Sequence, residues 1–268
     1  HRYFAGTLGL MIVLLAARAW RQRHLPDQPL KLPLFILLVV IAQAAFGMWT
    51  VTLKLWPQVV TAHLLGGFAT LSLLLLLTLR LSARWPALPV LSVRLSRLAA
   101  LGLLLVIGQI ALGGWVSSNY AAVACIDLPT CHGQWWPAMD FANGFHLTQH
   151  IGPNYLGGQL DSDARTAIHM THRVGAVLVT LVLLLLAWQL KRHGQARLAV
   201  LLLLALAGAG SRGADEGLAE DGWRHGKRKK QCAQRPAIHV IHPCWLQSAK
   251  YREGRRVGSR AATGVAKA

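Results

Sequence analysis

The chain has 268 residues, 54% of them hydrophobic and only 14% charged, and its leucines gather in apolar blocks of roughly twenty residues, the length a helix needs to cross the hydrocarbon. Such blocks exclude an ordinary soluble domain and describe an all-α, polytopic membrane protein. The formal net charge of +18 would suggest nucleic acid for a soluble chain, but here the basic residues sit on alternate connections between apolar blocks, so no nucleic-acid partner is expected.

Hydropathy predicts spans at roughly 3–20, 33–53, 58–80, 96–116 and 166–190, with a shorter apolar run at 196–210. The chain starts at His1 and reads as the inside of a longer protein. The first span opens on His1 and Arg2 and is followed by Arg18, Arg21, Arg23 and Lys31. Only Lys54 charges the next connection, and Pro57 then stands where a first helical turn accepts proline. His63 lies about two turns into that third span. Arg80, Arg84, Arg94 and Arg97 flank the following connection, whereas the long one at 117–164 holds Asp127, Asp140, Asp161, Asp163 and Arg165. Lys191, Arg192 and Arg197 follow the fifth span. By the positive-inside rule the basic connections are cytoplasmic and the first span runs from outside to inside.

A connection as long as 117–164 usually has a task. It carries Cys125 and Cys131 on the side where thiols tend to oxidise. Trp135, Trp136, Phe141, Phe145 and Tyr155 fit the membrane interface, either as simple anchors or as a cover for a site beneath.

The spans contain an internal repeat. "HRYFAGTLGLMIVLLAARAWRQR" from residue 1 and "HRVGAVLVTLVLLLLAWQLKRHG" from residue 172 both begin His-Arg, run apolar and end basic. "QAAFGMW" at 43–49 likewise matches "QIALGGW" at 109–115. His1, His63 and His172 then fall near the outer ends of their helices. Histidines at one depth on facing helices can supply axial nitrogens to a haem iron. Arg2 and Arg173 can pair with haem propionates or simply reach the headgroups. His169 and His172 share a helix face, so they cannot ligate one iron from opposite sides; alignment with His1 favours His172 as the ligand. Without an HExxH motif or an acidic pair in the spans, hydrolytic zinc chemistry has no support.

"NYAAVACIDLPTCHGQWWPAMDF", followed by "GPNYLGG" and "AIHMTHRVGA", resembles the haem A synthase family over about residues 1–205. The resemblance implies an eight-span inner-membrane oxidoreductase built of two pseudo-repeated four-helix bundles, incomplete here. Residues 1–90 would be the remainder of the first bundle, 91–210 the second with its outer loop, and 211–268 a basic tail, disordered or frame-shifted from near residue 207. The implied reaction oxidises a ring methyl of haem O to the formyl group of haem A for terminal oxidase assembly. His1 and His63 would ligate the substrate haem O and His172 a resident haem b, while Cys125 and Cys131 match the family's cysteine pair, which permits a disulfide. Implied partners are haem O synthase, cytochrome oxidase assembly proteins and the bilayer. No catalytic residue is assigned, and a family glutamate preceding the first His-Arg falls upstream of His1. The tail offers no twenty-residue apolar block for a fourth ligating histidine; His225, His239 and His242 stand outside any span, and zinc binding by Cys232, His239, His242 and Cys244 is a weaker reading, as is binding of anionic lipid or nucleic acid by "GKRKK". The competing functions are a non-enzymatic di-haem cytochrome b and a transporter or assembly factor without cofactor.

Overall fold

The computed structural model describes residues 2–25, 28–82 and 91–209. These form α1 (Arg2–Arg21), α2 (Lys31–Thr52), α3 (Pro57–Leu81), α4 (Val93–Ser118), a 3₁₀ turn (Ala121–Val123), α5 (Phe141–Gly144) and α6 (Ser162–Arg192), then α7 (Ala196–Ala209). α1, α2, α3, α4 and α6 are long and apolar enough to span a membrane, each within a few residues of the hydropathy reading. The chain is therefore an all-helical, multi-pass membrane protein. Among the described residues the sole strand-like feature is the bridge between Cys131 and Gln134.

The helix ends follow local chemistry. Pro57 opens α3 in the first turn, where its missing N–H costs nothing. The Ser92 hydroxyl caps α4 by accepting the Leu95 N–H. α6 carries Asp163 in its first turn and Lys191 and Arg192 in its last, matching the helix dipole at both ends. It stops at Gly194, whose φ of +76° lets the Gly194 and Gln195 N–H groups turn back onto the Lys191 and Leu190 carbonyls.

Residues His1–Leu203 form one compact unit; of the remainder only 204–209, within α7, are described, so 211–268 with its histidines, cysteines and basic run lies outside the described residues. Within the unit, consecutive spans pair: α1 with α2, α2 with α3, α3 with α4, and α4 with α6. Ile12, Ile36 and Leu77 knit the first three helices. Leu95, Leu186, Ala187 and Leu190 join α4 to α6 at the ends away from the 117–164 connection, together with Ala199 of α7. In lipid such contacts are held by packing rather than by water exclusion, so small residues matter at crossings. A Cβ on Gly114 would come within 3.1 Å of Leu64 and Thr61 of α3, and one on Gly102 within 3.3 Å of Leu183 of α6. Side chains on the opposite faces, Leu38, Ile41, Leu71, Leu103 and Leu181 among them, are exposed as lipid-facing residues must be.

The outer connection folds down onto both helix pairs. On α6 it builds a cluster of Trp115, Val116, Ala121 and Ile168, where the buried Trp115 indole donates to the Gly144 carbonyl at 2.9 Å. Over the α2–α3 turn, Trp56 donates to the Gln149 carbonyl at 3.0 Å and Gln58 to the Leu147 carbonyl at 2.8 Å, while the Tyr155 N–H donates to the Lys54 carbonyl. Replacing Trp115 by Phe keeps the ring but leaves the Gly144 carbonyl without its indole donor, a cost of about 1–3 kcal/mol. The expected outcome is a lower thermal midpoint in detergent together with faster proteolysis near residues 141–147; an unchanged midpoint would show the bond to be dispensable.

Candidate functional site

Two residues of unlike helices meet twice in this fold. On α2, Gln43 reaches α3 and donates its carboxamide N–H to the His63 carbonyl at 2.8 Å. On α4, Gln109 reaches α6 and donates to the His172 carbonyl at 3.0 Å, with the same nitrogen 3.0 Å from His172 Nδ1. Gln43 and Gln109 each stand nine positions before the last residue of their helix, Thr52 and Ser118, so the two glutamines occupy matching positions along α2 and α4.

Glycines make both pairs possible. One turn after each glutamine, a Cβ on Gly47 would lie 3.1 Å from His63 Cε1 and a Cβ on Gly113 would lie 3.3 Å from His172 Cε1; each imidazole thus rests on bare backbone. One turn after each histidine, a Cβ on Gly66 would lie 2.7 Å from the Gln43 carboxamide, and one on Gly175 would collide with Gln109 Oε1. The arrangement is Gln-x3-Gly on one helix against His-x2-Gly on the next, in two copies. Three polar atoms within it are buried without a protein partner: Gln43 Oε1, Gln109 Oε1 and His63 Nδ1. Beside the second pair a mostly apolar groove of about 270 Å³ runs between α4 and α6, lined by Leu105, Gly108, Gln109, Leu112, Gly175, Leu178 and Val179.

Above the second pair the loop is latched to α6. His169 Nδ1 bonds the Ala121 carbonyl at 3.0 Å, and the Arg173 guanidinium donates to the carbonyls of Thr130 and Cys125, both at 3.0 Å. Cys125 and Cys131 form a disulfide, and just beyond it Cys131 and Gln134 bridge across a two-residue turn, His132 and Gly133, both at positive φ as such a hairpin requires. Asp127 ties the turn from inside, accepting from the Thr130 hydroxyl and from the His132 and Gly133 N–H groups. Burial opposes its charge, but the Gly133 N–H, the Thr130 hydroxyl and the His132 N–H together hold its carboxyl at about 2, below the ordinary 3.8. Elsewhere in the loop, burial raises the Tyr155 phenol, which donates to the His150 carbonyl at 2.6 Å.

Of the residues singled out by sequence, His63, His172, Arg173, Cys125 and Cys131 are all on the outer half of the described unit, with His63 and His172 in separate helix pairs. His1 lies outside the described residues, and of Arg2 only the backbone is described. Arg173 spends two N–H groups on the loop. His169, left as a neighbour of the ligand, holds the same loop from one turn away. Sequence reading gave Gln43 and Gln109 no role; the signal was present, since an amide amid leucines needs a partner and both open the same Gln-x3-Gly pattern.

A family model described as cytochrome oxidase assembly protein, COX15-CtaA, matches residues 1–214. The chain is 48% identical over 207 residues to a protein of Shewanella oneidensis named "Heme A synthase", covering 77% of this chain and 62% of that protein. It is 26% identical over 204 residues to one of the same name from Halalkalibacterium halodurans, covering 74% and 60%, and 26% identical over 225 residues to one from Shouchella clausii, covering 78% and 66%. The chain thus spans about six-tenths of the length of these relatives.

The latch generates two predictions. Arg173→Ala leaves the disulfide but frees two carbonyls, and should raise the rate of protease cleavage in 117–164 by about 10-fold, the factor that corresponds to about 1.4 kcal/mol of local opening; Arg173→Lys, lacking the fork, should restore it only in part. Because Asp127 titrates lower folded than unfolded, its contribution is complete above about 4 and is lost as pH falls toward 2. Amide exchange at His132 and Gly133 should accelerate across that window, and Asp127→Asn should remove the pH dependence.

Proposed function

The chain belongs to the COX15-CtaA family of cytochrome oxidase assembly proteins, and from that premise we propose that it is the greater part of a haem A synthase of the bacterial inner membrane, oxidising a ring methyl of haem O to the formyl group of haem A. The observation that carries the reading is the duplicated Gln–His pair, roofed by a latched loop. Such a pair offers a neutral imidazole on a glycine-lined helix contact within an apolar bundle, which suits an axial ligand to a flat macrocycle.

The residues present fit that group. His63 Nδ1 and both glutamine Oε1 atoms are buried without partners, so polar capacity is held in reserve at both sites. Gly47 and Gly113 clear the ring faces, and the groove between α4 and α6 is walled by leucine and valine. In this reading His63, with His1, holds the substrate haem O, and His172 holds a resident haem b, whose iron supplies one-electron chemistry when bound. Substrate as apolar as haem O need not enter water if it is taken up between lipid-facing helices. Two successive oxidations of one methyl require that electrons leave in one direction, and in this reading the resident haem b is their local acceptor. Arg173 serves the second site through the loop, fixing the Cys125–Cys131 turn over it. Haem O synthase and oxidase assembly factors are the partners this reading implies.

In the whole protein, His63→Ala should abolish conversion of haem O to haem A while the absorbance of resident haem b persists, and His172→Ala should remove that absorbance. Each loss should exceed the roughly 10–100-fold effect usual for residues behind a ligand. Haem content unaltered by both substitutions would sink the assignment, and bound haem without any haem A formation would make the protein an electron-transfer cytochrome instead.

A further inference from the structure

We propose that the disulfide hairpin at 125–136 docks into the lipid interface on its own side of the bilayer, seating Ile126, Leu128, Trp135 and Trp136 at the boundary of headgroups and acyl chains beside α6. The proposal needs only the membrane spans and the geometry of the loop, and stands apart from the haem reading.

The face this hairpin shows is apolar. Ile126, Leu128, Trp135 and Trp136 are each at least 64% exposed, whereas Cys125 and Cys131, which close it, are buried. Its one carboxylate, on Asp127, is turned inward and accepts from the hairpin's own Thr130, His132 and Gly133. Other aromatic side chains of the loop go the opposite way: Tyr155 is buried, and Phe145 packs on the Trp115 cluster. The indoles divide likewise. Trp56 and Trp115 donate to loop carbonyls, while Trp135 and Trp136 have no acceptor among the described residues. A large apolar ring with an N–H still to be bonded suits the level where acyl chains meet lipid carbonyls, which offers both partners at once.

Depth is set by α6. The Arg173 guanidinium donates to the carbonyls of Cys125 and Thr130, both at 3.0 Å, so the root of the hairpin lies at the level of Arg173. Residues 174–190 beyond it carry no charged side chain before Lys191 and Arg192; at about 1.5 Å per residue they measure about 25 Å, close to the roughly 30 Å of hydrocarbon in a bilayer. Arg173 therefore marks one edge of the hydrocarbon, and the hairpin stands at that edge. Val174 and Val177 are exposed as lipid-facing side chains are, so the lipid-facing surface of α6 continues up to the hairpin. Braced by its disulfide, by Asp127 and by Arg173, the hairpin brings its apolar side chains preformed, and little ordering is lost on docking. Interfaces between proteins carry a polar rim, and this hairpin presents no charge to make one.

The test places single copies of the purified protein in phosphatidylcholine nanodiscs whose acyl chains carry bromine at shallow positions as the quencher. Subtracting the emission of Trp135→Phe/Trp136→Phe protein from that of the wild type isolates the two indoles; because both are exposed, this variant should keep the wild-type thermal midpoint. The pair should lose most of its emission in brominated lipid and little of it to aqueous iodide. Quenching by iodide with none by bromine would put the hairpin in water and overturn the proposal. Shielding from both quenchers would mean that protein covers the hairpin, and would overturn it equally. Ile126→Asp/Leu128→Asp, on the other arm of the hairpin, should reverse the wild-type pattern and open the indoles to iodide at an unchanged thermal midpoint. Bromine quenching as strong as in the wild type would show that the hairpin does not dock as a unit, and the proposal would fail there too.

Discussion

In hydrocarbon an amide without a partner costs several kcal/mol, and two glutamines lie well inside the spans of this protein. Neither can turn to water. Gln43 and Gln109 meet the constraint in the same way, by crossing to the backbone carbonyl of a histidine on the next span. The bond does more than satisfy the amide. It fixes where one helix stands along the other, because a carboxamide can reach a given carbonyl in only one register, and it does so in two helix pairs. The histidine side chains are thereby placed by the same contact that aligns their helices.

Close approach is the second requirement, and it is met by subtraction. Helices in lipid gain little by burying leucine against leucine, since the tails are as apolar as the side chain. Contact must come from atoms brought near one another. Gly47, Gly66, Gly113 and Gly175 remove side chains where an imidazole or a carboxamide lies; Gly102 and Gly114 do so where α4 meets α6 and α3. The outer loop completes the assembly from above. It is bonded to the α2–α3 turn through Trp56, Gln58 and Lys54 and to α6 through His169 and Arg173, so the two helix pairs share one roof. The disulfide and the Asp127 turn keep that roof compact where Arg173 grips it.

The spans were legible because hydropathy reports the length and apolarity that a bilayer demands. His63 and His172 stood out because a titratable group in an apolar run is rare. What escaped was the identity of their neighbours. Helical periodicity says which residues share a face, but not which of several faces meets the next helix, so Gln109 was visible as part of a repeat and not as a partner of His172. Arg173 shows the opposite difficulty. Its place beside a histidine suggested a propionate or a headgroup, and the carbonyls it binds, Thr130 and Cys125, lie forty or more positions away in a loop whose course has no periodic signature. Trp49 and Trp115 occupy one repeat position, yet Trp115 is 6% exposed and Trp49 is 41% exposed, because the loop covers only the former.

The two repeat signals in the chain define units of different size. His-Arg at residue 1 recurs at residue 172 on α6, a long-period repeat. Gln-x3-Gly with His-x2-Gly aligns α2 and α3 with α4 and α6, which is the register of a helix hairpin. The second is the one expressed in contacts: each hairpin holds its own glutamine, histidine and glycines. A ligand placed within its own hairpin is oriented before any opposing helix supplies a second one. The tolerance for where the macrocycle sits is then set by the local Gln–His bond, while the packing of hairpin on hairpin decides only how far apart two such sites stand.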